Sequence, residues 1–125
     1  MKRDLSKFRT WVEIDLGALE ENLEAIKNSL PENTHVCAVV KADAYGHGAI
    51  AIAKALSGRC RYFAVAMAEE AYELRRAGID DSILVLGIPP VSQYEGLIRR
   101  DVTLTVPTAS EGLAMVRLGQ LHGYI

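Results

Sequence analysis

The sequence predicts an α/β chain: a partial (β/α)8 TIM barrel of about the first four βα units, preceded by a short strand and a helix. Three observations carry this expectation. Short apolar runs begin near residues 36, 62, 83 and 102, one helical pattern separates each from the next, and no G-x-G-x-x-G comes after any of them. Strands alternating with single helices build a parallel sheet through right-handed crossovers. An open doubly wound sheet satisfies the same alternation, but without the glycine fingerprint its dinucleotide-binding form loses its main support. The barrel is therefore preferred.

The elements run in order along the chain. Thr10–Asp15 (TWVEID) alternates as a short strand does, and Leu16, Leu19, Leu23, Ile26 and Leu30 then share one helical face, with Asp15 placed to cap it and Pro31 to stop it. HVCAVVKA is the first barrel strand, in which Val36, Ala38, Val39 and Val40 read as buried. From Gly48 to Leu56 a second helix places Ala49, Ile52, Ala53 and Leu56 on one face, closed by Ser57-Gly58. The strand YFAVAMA runs into EEAYELRRAG, a helix with acids in its first turn, arginines in its last and Gly78 just beyond. ILVLG is the third strand; after Pro89-Pro90, Ser92 with Glu95 forms a capping box ahead of Leu97 and Ile98. VTLTV is the fourth, and Thr108 with Glu111 repeats the capping signature before a helix that Gly119 ends.

Composition narrows the partners. In 125 residues, half are apolar and only 6% aromatic, which describes one domain with an aliphatic core. Fourteen basic against 16 acidic residues leave a formal net charge of −2, so there is no electrostatic footprint for nucleic acid or an anionic membrane. The mildly basic start, MKRDLSKFR, precedes no apolar run of spanning length, and the chain reads as cytoplasmic. Cys37 and Cys60 match neither metal-ligand spacing nor a disulfide framework and read as two buried thiols; no metal is expected. A small-molecule substrate is the partner that remains.

Lys41 is the residue that asks for an explanation, because it ends an apolar strand and lysine is almost never fully buried unpaired. In a parallel barrel the reacting groups come from the C-terminal ends of the strands, and Lys41 is at that end. An amine leaving a strand among apolar neighbours suits Schiff-base chemistry, with pyridoxal phosphate or with a sugar aldehyde or ketone. Tyr45 brings a hydroxyl that can donate to a phosphate, and Gly46 and Gly48 let the backbone turn sharply into the next helix. On residue type and spacing alone, a solvated Lys41, a rim-closing Tyr45 and a bystander His47 explain the stretch slightly better than a catalytic role does. Asp43 either fixes the Lys41 loop through backbone hydrogen bonds or is merely exposed. Glu69 and Glu70 read as first-turn acids, Met67 and Met115 as core filler, and Arg99, Arg100 and Arg117 as solvated helix residues.

The stretches TWVEIDLGALEENL and AVVKADAYGHGA together resemble the N-terminal part of alanine racemases, and the resemblance runs from Thr10 to about Gly119. It implies pyridoxal 5'-phosphate as cofactor, carried by Lys41 as a Schiff base, with Tyr45 at the cofactor phosphate. It implies an isomerase interconverting L-alanine and D-alanine, which supplies D-alanine for peptidoglycan. In such enzymes Lys41 would act as base on one face of the substrate, and a tyrosine from the partner subunit of a homodimer on the other. Residues 1–15 would be a strand segment belonging with a C-terminal β domain, and residues 16–125 an incomplete alanine racemase N-terminal barrel domain.

A barrel of this kind takes about 250 residues, and LHGYI falls where a fifth strand would begin, so the chain is expected to be an N-terminal fragment, inactive alone. Two other readings stand beside this one: a non-catalytic pyridoxal-phosphate-binding barrel protein, and an inactive truncated product. The continuation ADAYGHG and the preceding TWVEIDLG argue against the first.

Overall fold

A computed structural model describes residues 8–124. The order is α1 (Leu16–Ser29), β1 (Cys37–Val39), α2 (Lys41–Tyr45), α3 (Ala49–Leu56), β2 (Tyr62–Val65), α4 (Ala68–Arg76), β3 (Ile83–Val85), α5 (Val91–Ile98), β4 (Val102–Leu104) and α6 (Ala109–Leu121). Part of the segment 1–15 expected to be a strand, residues 1–7, lies outside the described residues, as does Ile125. Thr10–Asp15 is exposed and enters no sheet among the described residues.

The four strands pair in parallel in the order β1-β2-β3-β4. Sheet order thus matches chain order without reversal, so there is no switch point of the kind a doubly wound sheet requires. Right-handed crossovers in one direction put the connecting helices α3, α4 and α5 on the same face, and the helices meet in sequence, α3 against α4, α4 against α5 and α5 against α6. This is the arc of a barrel wall.

Register decides which side chains the helices cover. Ala38, Phe63, Ile83 and Val102 form one row across the sheet, and Val65, Val85 and Leu104 continue another. Phe63, Val65, Ile83 and Val85 are completely buried, and Val40 and Val102 nearly so, against Ala53, Ala71, Leu74 and Leu97 from the helices. Burying a side chain of this size contributes about 1.5–3 kcal/mol. The alternate row, Val39, Ala64, Leu84 and Thr103, occupies the face without helices; Val39 and Thr103 are exposed there.

That uncovered face corrects the reading of the first strand and of the thiols. Cys37 and Val39 are exposed, and Cys60 is half-buried. Apolar character marked them as core, but Cys37 and Val39 lie on the face of β1 turned away from the helices, and Cys60 sits in the loop ahead of β2. The partial burial of both thiols still raises their pKa values by desolvation.

Helix ends agree in part. Asp15 caps α1 by accepting from the Ala18 amide at 3.0 Å, and Thr108 caps α6 by accepting from the Glu111 amide at 3.3 Å. The Ser92–Glu95 capping box does not form. α5 starts at Val91, with Pro90 in the capping position, so Ser92 already lies inside the first turn; Glu95 instead pairs with Arg99 at 2.7 Å. Nor does Gly119 end α6, which runs to Leu121; Gly119 is a buried contact position, and Gly123, with φ +70°, takes the left-handed conformation after the helix. Met115 is in the core, whereas Met67 is exposed at the start of α4.

The N-terminal ends of the strands are tied by one guanidinium. Arg75, in the last turn of α4, donates to the carbonyls of Ile79 and Asp81 ahead of β3 at 2.6 and 2.7 Å, and to those of Arg100 and Asp101 ahead of β4 at 2.9 and 2.8 Å. Asp81 extends the network: its carboxylate accepts from the Ser57 hydroxyl at 2.6 Å and the Gly58 amide at 2.7 Å, joining the end of α3 to the loop before β3. Desolvation pushes the Asp81 carboxyl up, but the bonds from Ser57 and Gly58, with the Arg75 charge, outweigh it and leave its pKa below the ordinary value.

This network is open to mutation and to acid. Arg75→Met strands four carbonyls and is expected to lower stability by about 2 kcal/mol in urea unfolding, with the helical content retained. Because the Asp81 pKa is depressed on folding, its contribution is present above the unfolded-state carboxylate pKa and is lost as pH falls through the lower folded value. Asp81→Asn should therefore destabilise at neutral pH, and the gap to the parent chain should close at strongly acidic pH in the same titration.

Candidate functional site

The site begins where the β1 ladder stops. The Val40 amide still donates to the Ala64 carbonyl at 2.8 Å, and Lys41 is the next residue, so its backbone emerges at the C-terminal end of β1. Lys41 is half-buried rather than enclosed. Among the described residues no carboxylate forms an ion pair with it.

Beyond Lys41 the chain winds into a turn of left-handed sense. Ala42, Asp43, Ala44 and Tyr45 have φ of +51°, +53°, +51° and +55°. For L-residues this conformation costs roughly 1–2 kcal/mol each, so the turn holds several kcal/mol of strain that its surroundings must offset. The hydrogen bonds that do so are dense. Within the segment, Ala44 donates to Val40 at 2.9 Å, Gly46 to Asp43 at 3.0 Å, His47 to Ala44 at 3.1 Å and Gly48 to Asp43 at 2.9 Å, all between backbone groups. The His47 side chain donates from Nδ1 to the Ala44 carbonyl at 2.9 Å.

Two carboxylates fasten the turn to the rest of the wall. Asp43 Oδ1 accepts from the Ala49 amide at 2.7 Å, bonding the first free N–H of α3 and fixing how the turn enters that helix. Glu70, from the first turn of α4, reaches across from the β2 side: Oε1 accepts from the Ala42 amide at 2.7 Å, and Oε2 from the amides of Ala66 and Met67 at 2.6 and 3.2 Å. Gly46 and Gly48, at φ +86° and +90°, let the chain leave the turn where an L-residue would be strained. Ala44 is packed into the core, whereas Tyr45 is 62% exposed, its ring standing clear of the wall at the same end as Lys41.

The sequence-derived residues therefore fall together. Lys41, Asp43, Tyr45 and His47 share one short segment at the C-terminal rim, and Asp43 fixes the loop. Glu70 was missed in that role, since a first-turn acid gives no sign of a partner 28 residues back in the chain; its place at the third helical position was the only signal. Arg99 and Arg100 stay on the outside, Arg99 in an exposed pair with Glu95 and Arg100 stacked over the Tyr72 ring at 5.0 Å; Arg117 is exposed on α6.

Two recesses lie outside the Lys41 segment. A cavity of about 630 Å³ lined by Lys27, His35, Arg59 and Arg61 lies at the N-terminal ends of β1 and β2, the opposite end from Lys41. A smaller one of about 250 Å³, bounded by Met67, Glu69, Ile88 and Pro90, lies at the C-terminal ends of β2 and β3, on the Lys41 side. No described helix is long and apolar enough to cross a membrane.

Comparison with known proteins agrees with the geometry. The family described as alanine racemase, N-terminal domain, matches residues 14–122. Alanine racemase 2 of Oceanobacillus iheyensis is 45% identical over 103 residues, which cover 82% of this chain and 26% of that protein. The solved alanine racemase of Clostridium difficile 630 superposes with a TM-score of 0.88 at 40% identity, covering 94% of this chain and 32% of that one. That of Bacillus anthracis, solved with bound L-Ala-P, gives 0.78 at 42% identity over 87% and 28%. The chain spans between about a quarter and a third of the length of these relatives. With a parallel barrel arc, a lysine at the rim of its first strand and this match over nearly all its length, the chain belongs to the alanine racemase N-terminal domain family.

Proposed function

We propose that this chain forms the lysine-bearing part of an alanine racemase that interconverts L-alanine and D-alanine, with Lys41 as the catalytic residue and Lys41 and Tyr45 as cofactor-binding residues. The observation that carries the reading is the placement of Lys41 directly after β1, at the C-terminal rim, in front of a strained turn that many hydrogen bonds hold. Strain concentrated beside one amine is what a site that must fix that amine requires.

The family uses pyridoxal phosphate, and the donor set here suits it: an amine free of ion pairs among the described residues and a phenol four residues on, both on one braced segment. Lys41 would hold the group covalently through Nζ, and the Tyr45 hydroxyl would donate to its phosphate. When bound, pyridoxal phosphate supplies an electron sink for the pair left at an amino acid's α-carbon. With the group bound, the Lys41 amine would be the base that takes the α-proton from one face and could return it to the same face. Inversion needs a second acid or base opposite, which the resemblance assigns to the partner subunit of a homodimer of the full-length protein. The solved relative that holds L-Ala-P supports alanine as the substrate, and supply of D-alanine for peptidoglycan is the corresponding role.

Reductive trapping tests the assignment. Incubation with pyridoxal phosphate and borohydride, then peptide mass mapping, is expected to place the adduct on Lys41 and to lose it in Lys41→Arg. A dominant adduct on another lysine would refute the site. The 125-residue polypeptide by itself is expected to show little or no conversion of L-alanine to D-alanine.

A further inference from the structure

We infer that Glu70 is a positioning residue for Lys41, gripping the peptide plane on its C-terminal side. The inference rests on the reading of Lys41 as the cofactor-holding amine. As an ordinary helix cap Glu70 would need one oxygen, and Oε2 fills that task by accepting from Ala66 and Met67. Its second oxygen does something a cap does not require. Oε1 lies 2.7 Å from the amide of Ala42, in a segment 28 residues earlier.

That amide is half of the Lys41–Ala42 peptide bond. Because the peptide group is planar, holding its N–H fixes the orientation of the whole unit, including the Cα of Lys41 at its other corner. On the preceding side, the Val40 amide is held by the Ala64 carbonyl at 2.8 Å in the β1–β2 ladder. The backbone of Lys41 thus sits between two points anchored to the β2 strand and the loop after it, since Glu70 is itself bonded to Ala66 and Met67. Ala42 is exposed, so water could satisfy its N–H. A carboxylate there adds position rather than satisfaction.

The chemistry of the side chain makes the inference testable without a change of volume. A carboxylate accepts at both oxygens, whereas glutamine accepts at one and presents N–H groups at the other, which cannot bond an amide N–H. Glu70→Gln can therefore keep the cap on α4 or the grip on Ala42, not both.

The experiment compares the full chain with its Glu70→Gln variant by three readouts: hydrogen exchange of the Ala42 amide, the urea unfolding midpoint, and the rate of borohydride-trapped pyridoxal phosphate addition at Lys41, with exposed Lys54 as internal reference. The expected result is a protected Ala42 amide in the parent chain. In the variant, protection should fall at least about tenfold and Lys41 trapping should slow by about tenfold or more, while Lys54 reacts as before and the far-ultraviolet spectrum persists. Equal Lys41 trapping in a folded variant would overturn the role of Glu70 and leave the Lys41 assignment standing. A parent chain that is not trapped at Lys41 would defeat that assignment itself. Should the variant fail to fold, the parent chain decides, because an Ala42 amide exchanging as fast as an unstructured peptide also overturns the inference.

Discussion

Four consecutive L-residues wound left-handed do not hold themselves, and the turn from Ala42 to Tyr45 is the constraint on which this rim depends. The backbone bonds inside it would exist equally in a right-handed turn. Attachments beyond the turn help to hold it: Asp43 to the first amide of α3, and Glu70 to the amide of Ala42. The same attachments set where the segment starts and ends. Lys41 and Tyr45 are its two ends, so the path that costs the backbone energy is also the one that spaces an amine from a phenol.

The wall beneath makes such bracing possible. Parallel pairing in chain order brings the end of β1 beside the end of β2, and therefore brings the first turn of α4 within reach of the residue after Lys41. At the other end of the strands, Arg75 and Asp81 tie the end of α3 to the loops that precede β3 and β4. The two ends differ in kind. The N-terminal network collects backbone carbonyls around a half-buried guanidinium and serves stability, whereas the C-terminal one places carboxylates around a strained turn, the division expected of a barrel whose chemistry lies at one mouth.

Much of this was legible from the sequence, for reasons tied to range. Helices and strands announce themselves by local periodicity, and so Leu16–Ser29 and the four apolar runs emerged close to where the structure has them. Asp15 and Thr108 were readable as caps because a cap acts within three residues. Burial was less legible: Cys37 and Val39 are apolar enough for a core, but which face of β1 receives helices depends on residues far along the chain. Ser92 had the spacing of a capping box, yet Pro90 begins the helix ahead of it. In the candidate site, strand position singled out Lys41, and Gly46 and Gly48 hinted at an abrupt turn. Nothing in the letters ADAY dictates its left hand, and no local pattern tells Glu70 from Glu69. The roles proposed for Lys41 and Tyr45 toward a cofactor rest on family resemblance rather than on spacing.

The bracing of the rim is tested most directly by measuring the backbone torsions of Ala42, Asp43, Ala44 and Tyr45 in solution, from scalar couplings and carbon shifts. Positive φ is expected at all four, with a close contact between the Ala42 amide and the Glu70 carboxylate. A right-handed or extended path through these residues would contradict it, because the carboxylates credited with fixing Lys41 at the rim would then have nothing to hold.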